Sequence, residues 1–228
     1  MYYICSPNIQ NYKMARTKHK KIVEVNLLPN VFNIKNGSTD KDIVKYFANE
    51  NPISLEIGCG HGDYTISLAR NFSHRNFIGV DLKGARIWVG AKIALENKLT
   101  NAAFLRGNIE ALSEFFVTKK IEEIIIPFPD PHIRRASESR RLVSSMFLEI
   151  YKSILSQGGK IHLKTDNEIL FDYAMGILSD SKYQIIYKSN NIHAEKDIPI
   201  IAAIQTKYEK HYLKEGRSIK YISFRLKN

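Results

Sequence analysis

The run Ile124-Ile125-Ile126 ends against Pro127-Phe128-Pro129-Asp130-Pro131, and no other stretch limits the fold so sharply. Consecutive β-branched residues favour an extended segment buried on both faces. Proline supplies no N–H for a ladder, so strand pairing must stop where the prolines begin. The reading is a central strand over Ile121–Ile126 that empties into a stiff loop. That loop carries one carboxylate, Asp130, with Arg134, Arg135, Arg140 and Arg141 close behind it. Open α/β sheets hold ligands beyond the carboxyl ends of their strands, so a rigid, charged loop there points to a site and not to a plain connector.

Strand-like and helical segments alternate on both sides of this run. A short helix over Asp40–Asn49, capped by Ser38 or Thr39, precedes a strand at Ile53–Ile57 and a helix at Asp63–Arg70. Asn76–Val80 is strand-like, and Ala85–Asn97 is helical through Ile87, Ala91, Ala94 and Leu95. Ala102–Arg106 reads as a short strand and Ile109–Phe116 as a short helix. Beyond the proline loop, Arg140–Leu155 has helical spacing, broken by Gly158-Gly159 before a strand at Lys160–Lys164. Asn167–Leu178 is helical, Tyr183–Tyr187 and Lys220–Leu226 are strand-like, and residues 189–206 form a long irregular segment. Such alternation predicts one largely parallel sheet with helices on both faces. A length of 228 residues suits a single domain, here taken as residues 36–228. Residues 1–35 read as a basic, weakly structured and flexible arm.

Charge narrows the partner. The chain has 34 Lys and Arg against 23 Asp and Glu, a formal net charge of +11. Residues 1–21 hold Lys13, Arg16, Lys18, Lys20 and Lys21 and no acid. In residues 207–228, seven basic residues interleave with Tyr208, Tyr212, Tyr221 and Phe224. Basic clusters mixed with aromatics suit nucleic acid better than a membrane surface. No apolar run approaches the roughly 20 residues a membrane span requires. Cys5 and Cys59 cannot build a disulfide framework, so the expected compartment is the reducing cytoplasm.

Directly after the first predicted strand comes Glu56-Ile57-Gly58-Cys59-Gly60-His61-Gly62. Glycines there allow a sharp turn and a close ligand approach, but the spacing is not that of the dinucleotide fingerprint. Asp81 ends the next strand, where a carboxylate can accept from both hydroxyls of a ribose. Asn108 ends the following one, where an amide can meet an adenine edge. Glycine loop, acid and third-strand polar residue, in that order, resemble the class I S-adenosylmethionine-dependent methyltransferases.

Adding Phe128-Pro129-Asp130-Pro131, the arginines through Arg140-Arg141, Gly158-Gly159, Lys164-Thr165-Asp166 and Thr206-Lys207-Tyr208-Glu209, the chain resembles the tRNA (guanine-N7)-methyltransferase family over roughly residues 50–226. The resemblance implies a single Rossmann-like domain with an antiparallel C-terminal strand. It implies methyl transfer from S-adenosylmethionine to N7 of guanosine 46 in the tRNA variable loop, with tRNA as partner. Glu56, Gly58, Gly60, Asp81, Asn108 and Asp130 then hold the cofactor, with Asp130 also aligning the reaction. Arg134, Asp166, Thr206, Lys207, Tyr208 and Glu209 contact substrate, and Arg135, Arg140 and Arg141 bind the tRNA backbone. Three positions depart from the family pattern: Asn108 where Asp is common, His132 where Trp is common, and Arg134 where Lys is usual.

Guanine N7 carries a free in-plane lone pair, so no general base is required and alignment and electrostatics carry the reaction. Seven histidines show no metal-ligand spacing, and neither a nucleophile elbow nor a phosphate loop is present. Methyltransferases of exocyclic amines carry Asn/Asp-Pro-Pro-aromatic, an order that Pro129-Asp130-Pro131-His132 does not match. A non-catalytic tRNA-binding protein that retains the fold is a further reading, separable by whether S-adenosylmethionine binds.

Overall fold

In the computed structural model, which describes residues 18–117 and 121–227, eight strands form one sheet. They are β1 (Val31–Asn33), β2 (Ile53–Ile57), β3 (Asn76–Asp81), β4 (Ala102–Arg106), β5 (Ile121–Pro127), β6 (Leu155–Thr165), β7 (Tyr183–Ser189) and β8 (Lys220–Leu226). Their order is β1-β4-β3-β2-β5-β6-β8-β7. Pairing is parallel from β1 to β6, while β8 runs antiparallel to both β6 and β7. The order reverses at β2, whose neighbours are β3 on one side and β5 on the other. A crevice between such strands is the expected ligand position in an open α/β sheet.

Side-chain alternation sorts two layers onto the sheet. Leu55, Ile57, Ile78, Val80, Ile124, Ile126, Ile161 and Leu163 pack with residues of α2 (Asp40–Phe47), α5 (Leu112–Phe115), α6 (Ser145–Ile154) and α7 (Glu168–Leu178). Phe77, Ala102, Phe104 and Ile125 face the other way, against α3 (Asp63–Asn71) and α4 (Gly84–Glu96). That second face is completed by a C-terminal segment containing α8 (Ile200–Ala203) and α9 (Lys207–Lys214). Helix starts follow the sequence signals: Thr39 and Asp42 form a reciprocal cap on α2, and Asn167 caps α7 by accepting from Leu170 N–H.

Four expectations change. The helix placed at Arg140–Leu155 begins only at Ser145, because a 3₁₀ segment, Arg135–Arg140, and an extended Arg141 precede it. Gly158-Gly159 does not break that helix; β6 starts at Leu155, and Gly158 sits inside it at φ 77° as an irregularity. The segment 189–206, expected to be irregular, holds a 3₁₀ turn at Ile192–Ala194 and α8, and α9 follows it directly. Residues 18–35, expected to belong to the arm, also carry regular structure. Residues 1–17, with Lys13 and Arg16, lie outside the described residues, but residues 18–24 are helical (α1) and β1 extends the sheet beside β4. Val25 and Asn30 are fully buried, and Asn30 donates to Ala91 O at 3.0 Å. A three-residue strand is too short to show a period, which is why the sequence pattern missed it.

Candidate active site

The carboxyl ends of β2 and β5 frame a cleft of about 400 Å³. The loop after β2 forms one wall through Glu56, Gly58, Cys59, Gly60 and His61, and Asp63 and Arg86 extend it. Pro127 and Phe128 at the end of β5 and Thr206, Lys207, Tyr208 and Tyr212 of the α9 segment complete its lining. Gly58 and Gly60 adopt φ of 71° and 55°, and a Cβ at either would stand in open space. Their role is therefore conformational: L side chains rarely adopt this backbone, and the absence of a side chain leaves the main chain open to the cleft.

Two carboxylates shape that loop from within. Glu56 is buried and accepts from Thr65 N–H at 2.8 Å and Thr65 Oγ1 at 2.6 Å, so it caps α3 from outside the helix. Burial raises its pKa to about 7 in spite of those donors. Asp81 takes the Gly60 N–H on one oxygen at 3.0 Å and the Lys83 N–H on the other at 2.7 Å. It thereby holds the glycine loop against the end of β3. Asn108 is exposed, and its side chain does not cap the 3₁₀ turn it precedes. Cys59 is buried, and burial pushes its thiol up, which suits a small packing residue and no redox role.

The proline loop is braced rather than free. Phe128 N–H donates to Lys164 O at 2.7 Å, but Phe128 and His132 both have positive φ, 50° and 41°. Two strained residues thus flank Asp130, and such strain persists only where surroundings impose it. Asp130 itself is 73% exposed, with one oxygen accepting from His132 N–H at 3.0 Å. The brace is Arg141. Its guanidinium donates to Pro131 O at 3.0 Å and His132 O at 3.2 Å, stacks on Tyr173 at 4.3 Å and is 2% exposed. This corrects the expectation that Arg141 binds tRNA phosphate: its donors are spent inside the fold. Arg134, Arg135 and Arg140 remain exposed.

Glu209 is buried as well. Alternation along β6 turns Leu163 into the main core and Lys164 to the opposite face, beneath α8 and α9. There the Lys164 ammonium, 1% exposed, donates to Ala202 O at 2.6 Å and Ile204 O at 2.8 Å and pairs with Glu209. Glu209 is 0% exposed, and the same oxygen lies 2.7 Å from His193 Nε2. Burial pulls the Lys164 pKa down, opposed by the Glu209 charge. Glu209 therefore anchors α9 through Oε1, while its Oε2 is buried without a hydrogen-bond partner, and it does not pair with Lys207 or Lys210 at the surface. Thr206 is likewise a cap, accepting from Glu209 N–H at 3.1 Å. Lys207 N–H reaches Asp63 at 3.0 Å, and the Lys207 and Tyr208 side chains stay exposed.

Asp166, just past β6, caps nothing, since Asn167 takes that role. Its partner is Arg217 at 2.8 Å. Sequence reasoning missed Lys164, Arg217 and His193 as functional neighbours. Thr206-x-x-Glu209 was a legible capping signal for α9, whereas nothing local marks the partners of Lys164.

A sheet of this order, with a glycine loop and an acid at the switch point, defines a class I methyltransferase fold. A family profile described as "Putative methyltransferase" matches residues 50–222. A tRNA (guanine-N(7)-)-methyltransferase of Christiangramia forsetii is 44% identical over 202 residues, 88% of each chain. One of Bacteroides fragilis is 38% identical over 221 residues, 93% of this chain and 87% of its own. The 16S rRNA methyltransferase KamB superposes with a TM-score of 0.60 at 11% identity, over 83% of this chain and 94% of its own, which supports the fold. The chain belongs to the tRNA (guanine-N7)-methyltransferase family, whose methyl donor is S-adenosylmethionine.

Proposed function

We propose that this chain methylates N7 of a guanosine in tRNA, at position 46 of the variable loop, within the cleft between the glycine loop and α9. The observation that carries this reading is the convergence on one cleft edge of the glycine loop, the proline loop and the α9 segment. The residues present fit S-adenosylmethionine. The loop at Gly58 and Gly60 leaves space for a ligand against the backbone, Asp81 stands at the end of β3, and Asn108 is unobstructed. When bound, the sulfonium supplies an electrophilic methyl group.

The chain's own residues orient and stabilise. Asp81 receives ribose hydroxyls, at the expense of its hold on the Lys83 turn or the Gly60 loop. Asn108 meets the adenine edge without the charge assistance a carboxylate would give. Asp130, on its strained loop, borders both ligands and stabilises positive charge developing on the guanine. Asp166 accepts the guanine N1–H and amino group. No group removes a proton, because N7 has none. Arg134, Arg135 and Arg140 take phosphates, so tRNA affinity falls steeply with salt.

The test is methyl transfer to unmodified tRNA by Asp130→Ala and Asp166→Ala. Each side chain is at or near the surface, so melting changes little while the rate falls by about 10²-fold, the cost typical of removing one electrostatic stabiliser. Full activity of Asp166→Ala removes that residue from the site.

A further inference from the structure

Asp166, the carboxylate assigned above to the guanine, already has a guanidinium on it. Arg217 Nη1 lies 2.8 Å from Asp166 Oδ2, while Nη2 lies 2.7 Å from Glu215. The same guanidinium lies over Tyr212, 4.5 Å from the ring centroid, and Tyr212 packs on Phe128 with centroids 5.9 Å apart. Tyr212 and Phe128 both line the cleft. A guanine Watson–Crick edge is an N–C–N array of donors, chemically a guanidinium fused to a ring. It takes a carboxylate in its plane and an aromatic ring on its face. Arg217 uses one carboxylate and one aromatic face in that way, at the rim of the cleft.

We propose that Asp166 and the face of Tyr212 form the guanine subsite, and that Arg217 fills it as an internal guanine mimic until RNA arrives. This rests on the guanine reading given above. In the exchange the base brings its N1–H and amino group to Asp166 in place of one Arg217 N–H, and its plane to Tyr212 in place of the guanidinium. Arg217 is half exposed, and a pair this open is held weakly, so the nucleobase can displace it without disturbing the core. Glu215 retains a hold on the displaced side chain, keeping it close for return.

The test uses the full chain with S-adenosylmethionine present and free guanosine as the probe, with adenosine as control. Removing the competitor in Arg217→Ala tightens guanosine binding by about twofold to fivefold, the value of one exposed ion pair, and leaves adenosine unchanged. Unchanged or weaker guanosine binding by a variant that melts like the parent overturns the proposal and makes Arg217 a structural or phosphate-binding residue. A second measurement needs no variant: the Arg217 side-chain NMR resonance of the parent chain moves on addition of guanosine and not adenosine, and a resonance unmoved at saturating guanosine also overturns it. Failure of the underlying reading shows separately, as absence of 7-methylguanosine from tRNA treated with the parent chain.

Discussion

The two walls of the cleft are held by different means. On the glycine-loop side, the stabilising contacts are short in sequence: Glu56 to Thr65 spans 9 residues and Asp81 to Gly60 spans 21. On the α9 side they are long: Lys164 reaches Ala202 across 38 residues and Arg217 reaches Asp166 across 51. The first wall is the β2–α3–β3 unit, whose carboxylates satisfy backbone N–H groups of that same unit. The second is a separate segment fastened to the sheet by a buried ammonium. One wall is built into the sheet; the other is docked onto it and depends on a few charges.

That contrast breaks most visibly at Lys164. Lys164→Met leaves the Glu209 carboxylate buried with only His193 beside it, and denaturant unfolding should show a loss of about 3–5 kcal/mol. The double change Lys164→Met with Glu209→Leu removes both charges and recovers most of that loss. A single change costing under about 1 kcal/mol would mean that α9 is held by something other than this pair.

The glycine-loop wall should respond to pH instead. Glu56 has a folded pKa of about 7 against an ordinary value of 4.5, so the folded state binds its proton more tightly. Its contribution is complete below about pH 4.5 and is lost as pH rises through 7. Glu56→Gln keeps an acceptor for Thr65 without the charge. Without ligands its melting temperature should match the parent near pH 5 and exceed it at pH 8, by at most about 3 kcal/mol of stability. Equal destabilisation at both values would show that the capping of α3 requires the charge.

Smaller effects sharpen the division among the arginines. Arg141→Ala removes two buried charge-assisted hydrogen bonds and should cost about 2 kcal/mol of stability, with slower methyl transfer as the proline loop relaxes. Arg135→Ala and Arg140→Ala should leave melting within about 0.5 kcal/mol and lower the salt dependence of tRNA binding by about one ion each. If Arg141→Ala instead weakened tRNA binding at unchanged stability, its guanidinium would belong to the phosphate group after all.

How far the sequence revealed this follows the same division. Strands β2 to β5 and helices α3 and α4 were legible to within a residue or two, because each is a run with its own period and its own stop signal. The glycine loop and Asp81 stood out because their contacts lie within the short β2–α3–β3 unit. The burial of Arg141 and Glu209 was missed for a common reason. Charged residues in a basic, aromatic-rich stretch read as surface groups, and only tertiary packing shows that Tyr173 covers one and Lys164 neutralises the other. The C-terminal docking was invisible because its partners are scattered and the carbonyls at Ala202 and Ile204 are backbone groups that any sequence would supply.

Everything proposed for the cleft turns on methyl transfer to guanine N7 in tRNA. The most direct measurement incubates the full chain with unmodified tRNA and methyl-labelled S-adenosylmethionine and maps the label by nuclease digestion and mass spectrometry. The account predicts one 7-methylguanosine, at position 46 of the variable loop. Label on any other atom, or S-adenosylmethionine binding with no transfer to any tRNA, would contradict it.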